Sequence, residues 1–511
     1  MTNQENSVCV VMVPFPAQGH LNQLLHLSRI ILSYGFPVHY VSTSTHNSQA
    51  IARVHGWDPA AVAGFHFHDC QVPPFCSPPP NPDAAIKFPS HLQPCFDACW
   101  HLRKPVAELL RTLSSRARKV IIIHDSIMGS VVQDAGSIPN AESYGFHTVS
   151  AFTLFFFIWE SMGKPQVNTE MPDVPSLEGC FTQDFLDFIA MQHKYLDVNA
   201  GSIYNTSKVI EGTYLDLLRE NTKRKQHWAL GPFNPLTVPE EDGCSGNRHH
   251  CLEWLDKQAA NSVLYVSFGT TTTMGDEQIH ELAIGLGRSN QKFMWVLRDA
   301  DKGDVFNGEV RRPDLPKGYV DSVKEKGLVV RDWAPQLEIL AHPAIGGFIS
   351  HCGWNSCMES ITMGVPIGAW PMHSDQPRNA VLITKLLKVG ITIKDWAHRD
   401  EIVTAAVVEE AVRRLMASEE GEEVRKRASE LSGAVRQSVG EGVQPLQKRG
   451  RGLDESMMVD DNLDVEGAEV RDLEGGGQHP MTPEGGMNSL PVPSFKDKLL
   501  GDRGFRASHD P

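Results

Sequence analysis

Residues 346–376 read GGFISHCGWNSCMESITMGVPIGAWPMHSDQ. GGFISHCG is an apolar run of strand length, Asn355-Ser356 opens a helix, and VPIGAW is a second strand of the buried type. Together they form one strand–helix–strand unit of a parallel α/β sheet. That unit needs only its glycines and apolar residues. The segment also carries an imidazole at His351, an indole at Trp354, an amide at Asn355 and a hydroxyl at Ser356. Carboxylates at Glu359 and Asp375 and a further amide at Gln376 complete the set. All of them lie near strand ends, where α/β sheets present their ligand sites.

The same alternation runs through the rest of the chain. VCVVMVPF is a strand, Gly19 to Tyr34 carries Leu21, Leu24, Leu25, Leu27 and Ile31 at helical spacing, and PVHYVS and KVIIIHD are further strands. Residues 232–250 lack apolar periodicity and are rich in turn formers, which marks a linker. The pattern then restarts with VLYVSFG, a helix over Asp276–Gly287, FMWVLR, and GLVVRDW ending in Trp333. At 511 residues the chain exceeds one ordinary core. We therefore expect two Rossmann-like, doubly wound α/β domains, residues 1–231 and 251–442, joined by the linker 232–250, with a cleft between the carboxyl ends of their sheets. From 443 to 511 the composition shifts to Asp, Glu, Gly and Pro, without Trp or Tyr. So little apolar surface cannot offset the entropy of ordering, and a disordered tail is expected there.

The formal charge of −15 argues against a nucleic-acid groove or an anionic membrane surface as partner. The opening MTNQENSVCVVMVPFP has no basic n-region, and its apolar run stops at Pro14, so neither a signal peptide nor a membrane span is expected. Ten cysteines without a C-x-x-C spacing read as reduced core thiols of a cytosolic protein. Cys244, His249, His250 and Cys251 imitate a metal set but lack the paired spacing of a zinc knuckle. Asp299-Ala-Asp301 is a D-x-D in a polar loop. Gly285-Leu-Gly287 lacks the third glycine of a dinucleotide motif and sits at a helix end. Phe65-His-Phe-His68 alternates as strand residues do. None of these is assigned a metal or cofactor.

The polar groups of the opening segment suit a nucleotide-sugar. A helix opening at Asn355-Ser356 turns unpaired N–H groups and a positive dipole end toward the cleft. His351, Asn355 and Ser356 add donors for a diphosphate, and Glu359, one turn on, can accept from both hydroxyls of a ribose. Trp333 offers a face to a flat base, and Asp375-Gln376 can hold sugar hydroxyls. Ser356-x-x-Glu359 is also the pattern of a capping box, which secures a helix end without any ligand. Its company (Trp333, Gln336, His351, Trp354, Asn355, Asp375 and Gln376) favours the ligand. In the first half, His20 sits at the strand–helix join FPAQGHLNQLLHLSR. The positive helix end there disfavours imidazolium, and a neutral imidazole can take a proton from a hydroxyl. A capping or buried histidine is the structural alternative. Asp125 closes KVIIIHD at a strand's carboxyl end.

Trp333 to Gln376 spans 44 residues in the order W-A-P-Q, H-C-G-W-N-S, E, G-V-P and D-Q. It resembles the signature box of plant UDP-dependent glycosyltransferases, without insertion. The resemblance implies a GT-B fold with the UDP-sugar held mainly by the second domain. Carried over by position, it implies Trp333 on uracil, Gln336 on the nucleoside, and His351, Asn355 and Ser356 on the diphosphate. Glu359 then holds the ribose, Asp375 and Gln376 hold the sugar, Ser267 is a further phosphate contact, and Trp354 belongs to the same box. It also implies a catalytic pair, His20 as base and Asp125 orienting it.

GHLNQLLHLSR, KFPSHLQPCFDA, GSIYNTSKVIEG, WALGPFNPL and WPMHSDQPRNA resemble the zeatin O-glucosyltransferase and O-xylosyltransferase group. Many relatives outside that group have Pro where Gln23 stands. The likeness runs from about Val8 to Gly442, where EGVQPLQKRGRGLDES replaces the turn and final helix the family leads one to expect. The resemblance implies an inverting O-glycosyltransferase that moves glucose or xylose from the UDP-sugar to a hydroxyl of a small acceptor, a zeatin-type cytokinin. It further implies no metal and no cofactor, in a cytoplasmic monomer. Two alternatives stand beside it. One is a transferase acting on phenolic or flavonoid hydroxyls; the other is a non-catalytic UDP-sugar or hormone binder whose altered C-terminus prevents closure.

Overall fold

The computed structural model describes residues 7–54, 57–167, 169–221, 225–238, 248–306 and 311–440. The expectation for 443–511 and the thiol of Cys244 lie outside these residues.

Two parallel sheets organise the chain. The first contains β1 (Val8–Val13), β2 (Val38–Thr43), β3 (Phe65–Cys70), β4 (Lys119–Asp125), β5 (Ala141–His147), β6 (Gly201–Tyr204) and β7 (Gln226–Ala229), in the order β3-β2-β1-β4-β5-β6-β7. The second contains β8 (Val263–Ser267), β9 (Lys292–Val296), β10 (Gly327–Val330), β11 (Ile345–Ser350), β12 (Ile367–Ala369) and β13 (Gly390–Thr392), in the order β10-β9-β8-β11-β12-β13. Every residue of β1, β8 and β11 is buried, as expected of central strands covered on both faces by helices. In each sheet the chain winds outward from one central strand, then returns to that strand's other side. The reversal falls between β1 and β4 in the first sheet and between β8 and β11 in the second. Ligand crevices of open α/β sheets form at such points, beyond the carboxyl ends of the strands.

The halves are joined by a shared core and by polar ties. Phe152, Phe155, Phe156 and Tyr214 from the first half pack in one apolar cluster with Trp354, Met358 and Ile361 from the second. The helix Glu419–Gly440 adds Ala428 and Val435 to the same cluster. Trp354 Nε1 donates to the Asn205 carbonyl at 2.9 Å, and Asn355 Nδ2 donates to the Gly19 carbonyl at 2.7 Å. Arg378 pairs with Glu160 at 2.5 Å.

Two sequence expectations are corrected in detail, the end of one strand and the burial of one cysteine. The strand expected to run through Trp333 stops at Val330, because Arg331 and Asp332 leave the apolar pattern and Pro335 follows. All nine described cysteines are free, but Cys76 is exposed rather than in the core, in the proline-rich loop that follows β3. Asp299 and Asp301 are ion-pair partners. Asp301 receives Arg53 at 2.5 Å and Arg298 at 2.9 Å, and Asp299 lies 3.6 Å from Arg311. His66 and His68 sit on β3, where His68 Nε2 meets Nδ1 of His39 at 2.9 Å.

The Arg53–Asp301 pair crosses between the halves and both partners are largely buried. Arg53→Ala leaves a buried carboxylate short of a partner, so a loss of about 1–3 kcal/mol is expected in thermal or urea unfolding. An unchanged unfolding curve would mean that Arg298 alone satisfies Asp301.

Candidate functional site

A cavity of about 690 Å³ lies between the two sheets. Its walls include His20 and Asp125 from the first half, and Ser267, Trp333, Gln336, His351, Trp354, Asn355, Ser356, Glu359, Asp375 and Gln376 from the second.

On the first-half wall, β1 runs into the helix Gln18–Ser33, and His20 stands in that helix's first turn. Asp125 is the last residue of β4, the strand hydrogen-bonded to β1. This adjacency brings residues 105 positions apart to a distance of 2.6 Å between His20 Nδ1 and Asp125 Oδ2. Asp125 is fully buried and His20 is 26% exposed, so the carboxylate is sealed while the imidazole reaches the cavity. The other carboxylate oxygen accepts from the Ile127 N–H at 3.2 Å. An ionised carboxylate only accepts, so Nδ1 carries the proton and Nε2 is left with a free lone pair. Thr148, just past β5, adds its hydroxyl at 3.1 Å from Nδ1. Nothing in the local sequence marks Thr148 for this role.

On the second-half wall, β8 ends in Ser267 and β11 ends in Ser350, and the two are register partners. The chain then turns through Cys352, a non-glycine residue in the left-handed region at φ 64°, into the helix Trp354–Met363. His351 fits between two glycines. A Cβ on Gly269 would stand 2.6 Å from its Nε2, and one on Gly353 would stand 2.5 Å from it. Gly269 also has φ +76°. Both positions therefore exclude larger residues, which explains the glycines in VSFG and HCGW. Burial pushes the His351 imidazole down to about 4, so it is neutral near pH 7. Its Nδ1 has no hydrogen-bond partner among the described residues.

The capping-box reading of Ser356-x-x-Glu359 is overturned. The helix is capped at Gly353, which puts Ser356 at its third position rather than at the cap. Gln336 links the two side chains instead, donating from Nε2 to Ser356 Oγ at 2.9 Å and to Glu359 Oε2 at 2.7 Å. Trp333 is half-buried in the loop just before Gln336.

Asp375 and Gln376 begin the helix Gln376–Val381 beyond β12. Gln376 is buried, and its side-chain oxygen accepts from the Met372 and His373 N–H groups at 2.9 and 3.1 Å. Desolvation in the cleft pushes the Asp375 carboxyl up to about 6, against hydrogen bonding from Asn379 and the nearby His20, which lower it. A wall of phenylalanines beside His20 also went unread in the sequence. Phe15 lies 4.5 Å from Phe96 and Phe88 lies 4.5 Å from Phe185, ring centre to ring centre. These rings come from separate segments, and no spacing in the sequence groups them.

The histidine–cysteine cluster has a local explanation. His249, His250 and Cys251 bring their ligand atoms within 4.8 Å of one another. His249 Nδ1, however, caps the helix His250–Leu255 by accepting from the Cys251 N–H at 3.3 Å. Burial pushes the Cys251 thiol up to about 12, far from a thiolate at neutral pH.

Two Rossmann-like sheets meeting across a cleft, with a cavity of about 690 Å³ at both switch points, are the architecture of the GT-B class of transferases. Residues 6–235 match the family described as "Glycosyltransferase, N-terminal domain", and residues 242–431 match "UDP-glucoronosyl and UDP-glucosyl transferase". The chain is 57% identical over 440 residues to the zeatin O-glucosyltransferase of Phaseolus lunatus, covering 86% of this chain and 94% of that one. It is 54% identical over 442 residues to the zeatin O-xylosyltransferase of Phaseolus vulgaris, covering 86% and 96%. Among solved structures it is similar to a transferase from Siraitia grosvenorii in complex with UDP, with a TM-score of 0.68 and 27% identity over 85% of this chain and 96% of that one. The chain belongs to the UDP-dependent glycosyltransferase family and is an enzyme that uses a UDP-sugar donor and a small-molecule acceptor. Among the described residues, no helix is long and apolar enough to cross a membrane.

Proposed function

We propose that the protein transfers glucose or xylose from the UDP-sugar to the side-chain hydroxyl of a zeatin-type cytokinin, with inversion at the anomeric carbon. The observation that carries the chemistry is the His20–Asp125 contact at 2.6 Å, with the imidazole facing the cavity. The acceptor reading rests on the two zeatin transferases at 57% and 54% identity.

In the reaction, Nε2 of His20 takes the acceptor's hydroxyl proton as its oxygen bonds to the anomeric carbon. Asp125 stabilises the imidazolium that results. The bond from the anomeric carbon to the diphosphate oxygen breaks on the opposite face, and UDP leaves with the electron pair. Its charge meets the N-terminus of the helix Trp354–Met363, with Asn355, Ser356, His351 and Ser267 adding donors. Trp333 stacks on uracil, Gln336 and Glu359 hold the nucleoside and its ribose, and Asp375 and Gln376 hold the sugar. Trp354 secures the wall through Asn205. These fixed dipoles and side chains are the proposed means of meeting the leaving charge, without a metal or cofactor.

One chain supplies both walls of the cleft, so a monomer suffices. The free thiols fit a reducing compartment, and we place the enzyme in the cytoplasm. The test is incubation with labelled UDP-glucose and UDP-xylose against trans-zeatin, cis-zeatin and a panel of phenolic and flavonoid acceptors. Transfer to a zeatin hydroxyl is expected from at least one donor. Turnover confined to phenols would overturn the acceptor reading, and binding without turnover on every acceptor would overturn the catalytic one.

A further inference from the structure

Asn379 is buried in the helix Gln376–Val381, one turn after Asp375, and uses the full hydrogen-bonding capacity of its amide. Nδ2 donates to Asp375 Oδ2 at 2.7 Å and to the Cys352 carbonyl at 3.0 Å. Oδ1 accepts from Ser150 Oγ at 2.7 Å and from Thr153 Oγ1 at 3.0 Å. An ionised carboxylate and a carbonyl only accept, so the amide has one possible orientation. Ser150 caps the helix Ala151–Ser161 by accepting from the Thr153 N–H at 3.0 Å, which leaves its hydroxyl proton for Asn379. The four partners have distinct origins. Asp375 lines the end of the cavity assigned to the sugar. Cys352 is the left-handed residue of the turn between His351 and the Trp354–Met363 helix. Ser150 and Thr153 belong to the first half, just beyond Thr148, whose hydroxyl meets His20 at 3.1 Å.

We propose that Asn379 is a positioning residue for the transfer: it orients the Asp375 carboxylate toward the donor sugar and ties that carboxylate to the half of the protein that carries His20. The proposal rests on the assignment of Asp375 to the sugar. The stretch WPMHSDQPRNA contains Asn379, but it lies three residues beyond the box ending at Gln376 and its partners on the other half are more than 220 positions away, so sequence does not show this role. The physical consequence is that sugar orientation and cleft closure share one amide. A sugar bound in an open cleft would meet a carboxylate free to rotate.

The titratable groups facing Asp375 are His20 on the first-half helix, Cys180 in the loop that follows residue 179, and Cys357 on the Trp354–Met363 helix. Burial pushes both thiols up, so they stay neutral across the working range. Asn379 holds the Asp375 carboxyl below where burial alone would put it. Removing its donor moves that carboxyl upward, so the ionised form is lost at higher pH. The acidic limb of the rate profile must then move toward neutrality.

The test is steady-state kinetics of Asn379→Ala, Asp375→Asn and the double variant Ser150→Ala/Thr153→Val, each with a UDP-sugar titration and a pH profile of kcat/KM. For Asn379→Ala, kcat/KM for the UDP-sugar is expected to fall roughly tenfold or more, as for loss of a hydrogen bond to a charged group, with the acidic limb shifted upward. The Ser150→Ala/Thr153→Val variant keeps the Asp375 contact, so its acidic limb is expected to stay in place while kcat falls. An Asn379→Ala enzyme with a wild-type UDP-sugar KM and acidic limb overturns the proposal, as does a loss confined to melting temperature. If Asn379→Ala does not fold, the double variant decides: wild-type kcat there overturns the tie between the halves. Asp375→Asn separates the two readings. A loss there with Asn379→Ala unaffected sinks the positioning role alone, whereas wild-type kinetics in Asp375→Asn sinks the sugar assignment beneath it.

Discussion

His20→Ala is expected to lower glycosyl transfer by about 10²–10⁴-fold while UDP-sugar affinity stays near the wild-type value. The asymmetry follows from where the imidazole stands. It projects from the first-half wall beside the phenylalanines, with Nδ1 committed to Asp125 at 2.6 Å. Only Nε2 is free to act, and in the proposed reaction it takes the proton of the acceptor's hydroxyl. The residues proposed to hold the donor belong to the second half, and of these only Asp375 feels the charge of His20, so most of the donor's proposed contacts stay in place. Asp125→Ala is expected to be severe but less complete, because Thr148 still reaches Nδ1 at 3.1 Å and keeps part of the ring's orientation. The measurements are initial rates with saturating donor, and UDP-sugar binding by calorimetry on the same variants. Equal loss of donor affinity in His20→Ala would make it a donor-site or structural residue. Full activity in Asp125→Ala would remove that carboxylate from the mechanism.

Glu359→Ala carries the second large effect. Its KM for the UDP-sugar is expected to rise by roughly 10- to 100-fold, the range corresponding to a hydrogen bond to a charged group of about 1.5–3 kcal/mol. In the structure the Glu359 carboxylate accepts from Gln336 at 2.7 Å, which fixes its position on the cavity wall. Because the helix is capped at Gly353, Glu359 does not close its N-terminus. Stability should therefore change little, in contrast to what a capping box would require. Kinetics and a thermal melt of the one variant decide between the two: a large drop in melting temperature with an unchanged KM would restore the structural role.

The alternating apolar runs were legible as strands and helices because parallel strands covered on both faces must be apolar throughout, and a covering helix must show its stripe. The grouping of the box residues on one wall of the cavity was legible for a related reason. His351, Trp354, Asn355, Ser356 and Glu359 lie on one continuous turn and helix, so their order along the chain is nearly their order in space. The likeness to one family rested on that same contiguity. The end of the third strand of the second half falls at Val330 rather than at Trp333: the indole at Trp333 resembles a strand residue, but the charged pair Arg331-Asp332 before it already leaves the hydrogen-bond ladder.

What the amino-acid order determined alone was therefore the alternation, the presence of two α/β sheets and the local succession of the box's side chains. Tertiary structure decided everything that depends on residues far apart meeting. The pairing of β1 with β4 puts Asp125 against His20, the packing of separate loops assembles the phenylalanine wall, and the seam between the halves delivers Ser150 and Thr153 to Asn379. Local patterns record which face of an element is buried. They carry no record of which distant element will cover it, because that choice is made by the winding order of the sheets and the closure of the two halves.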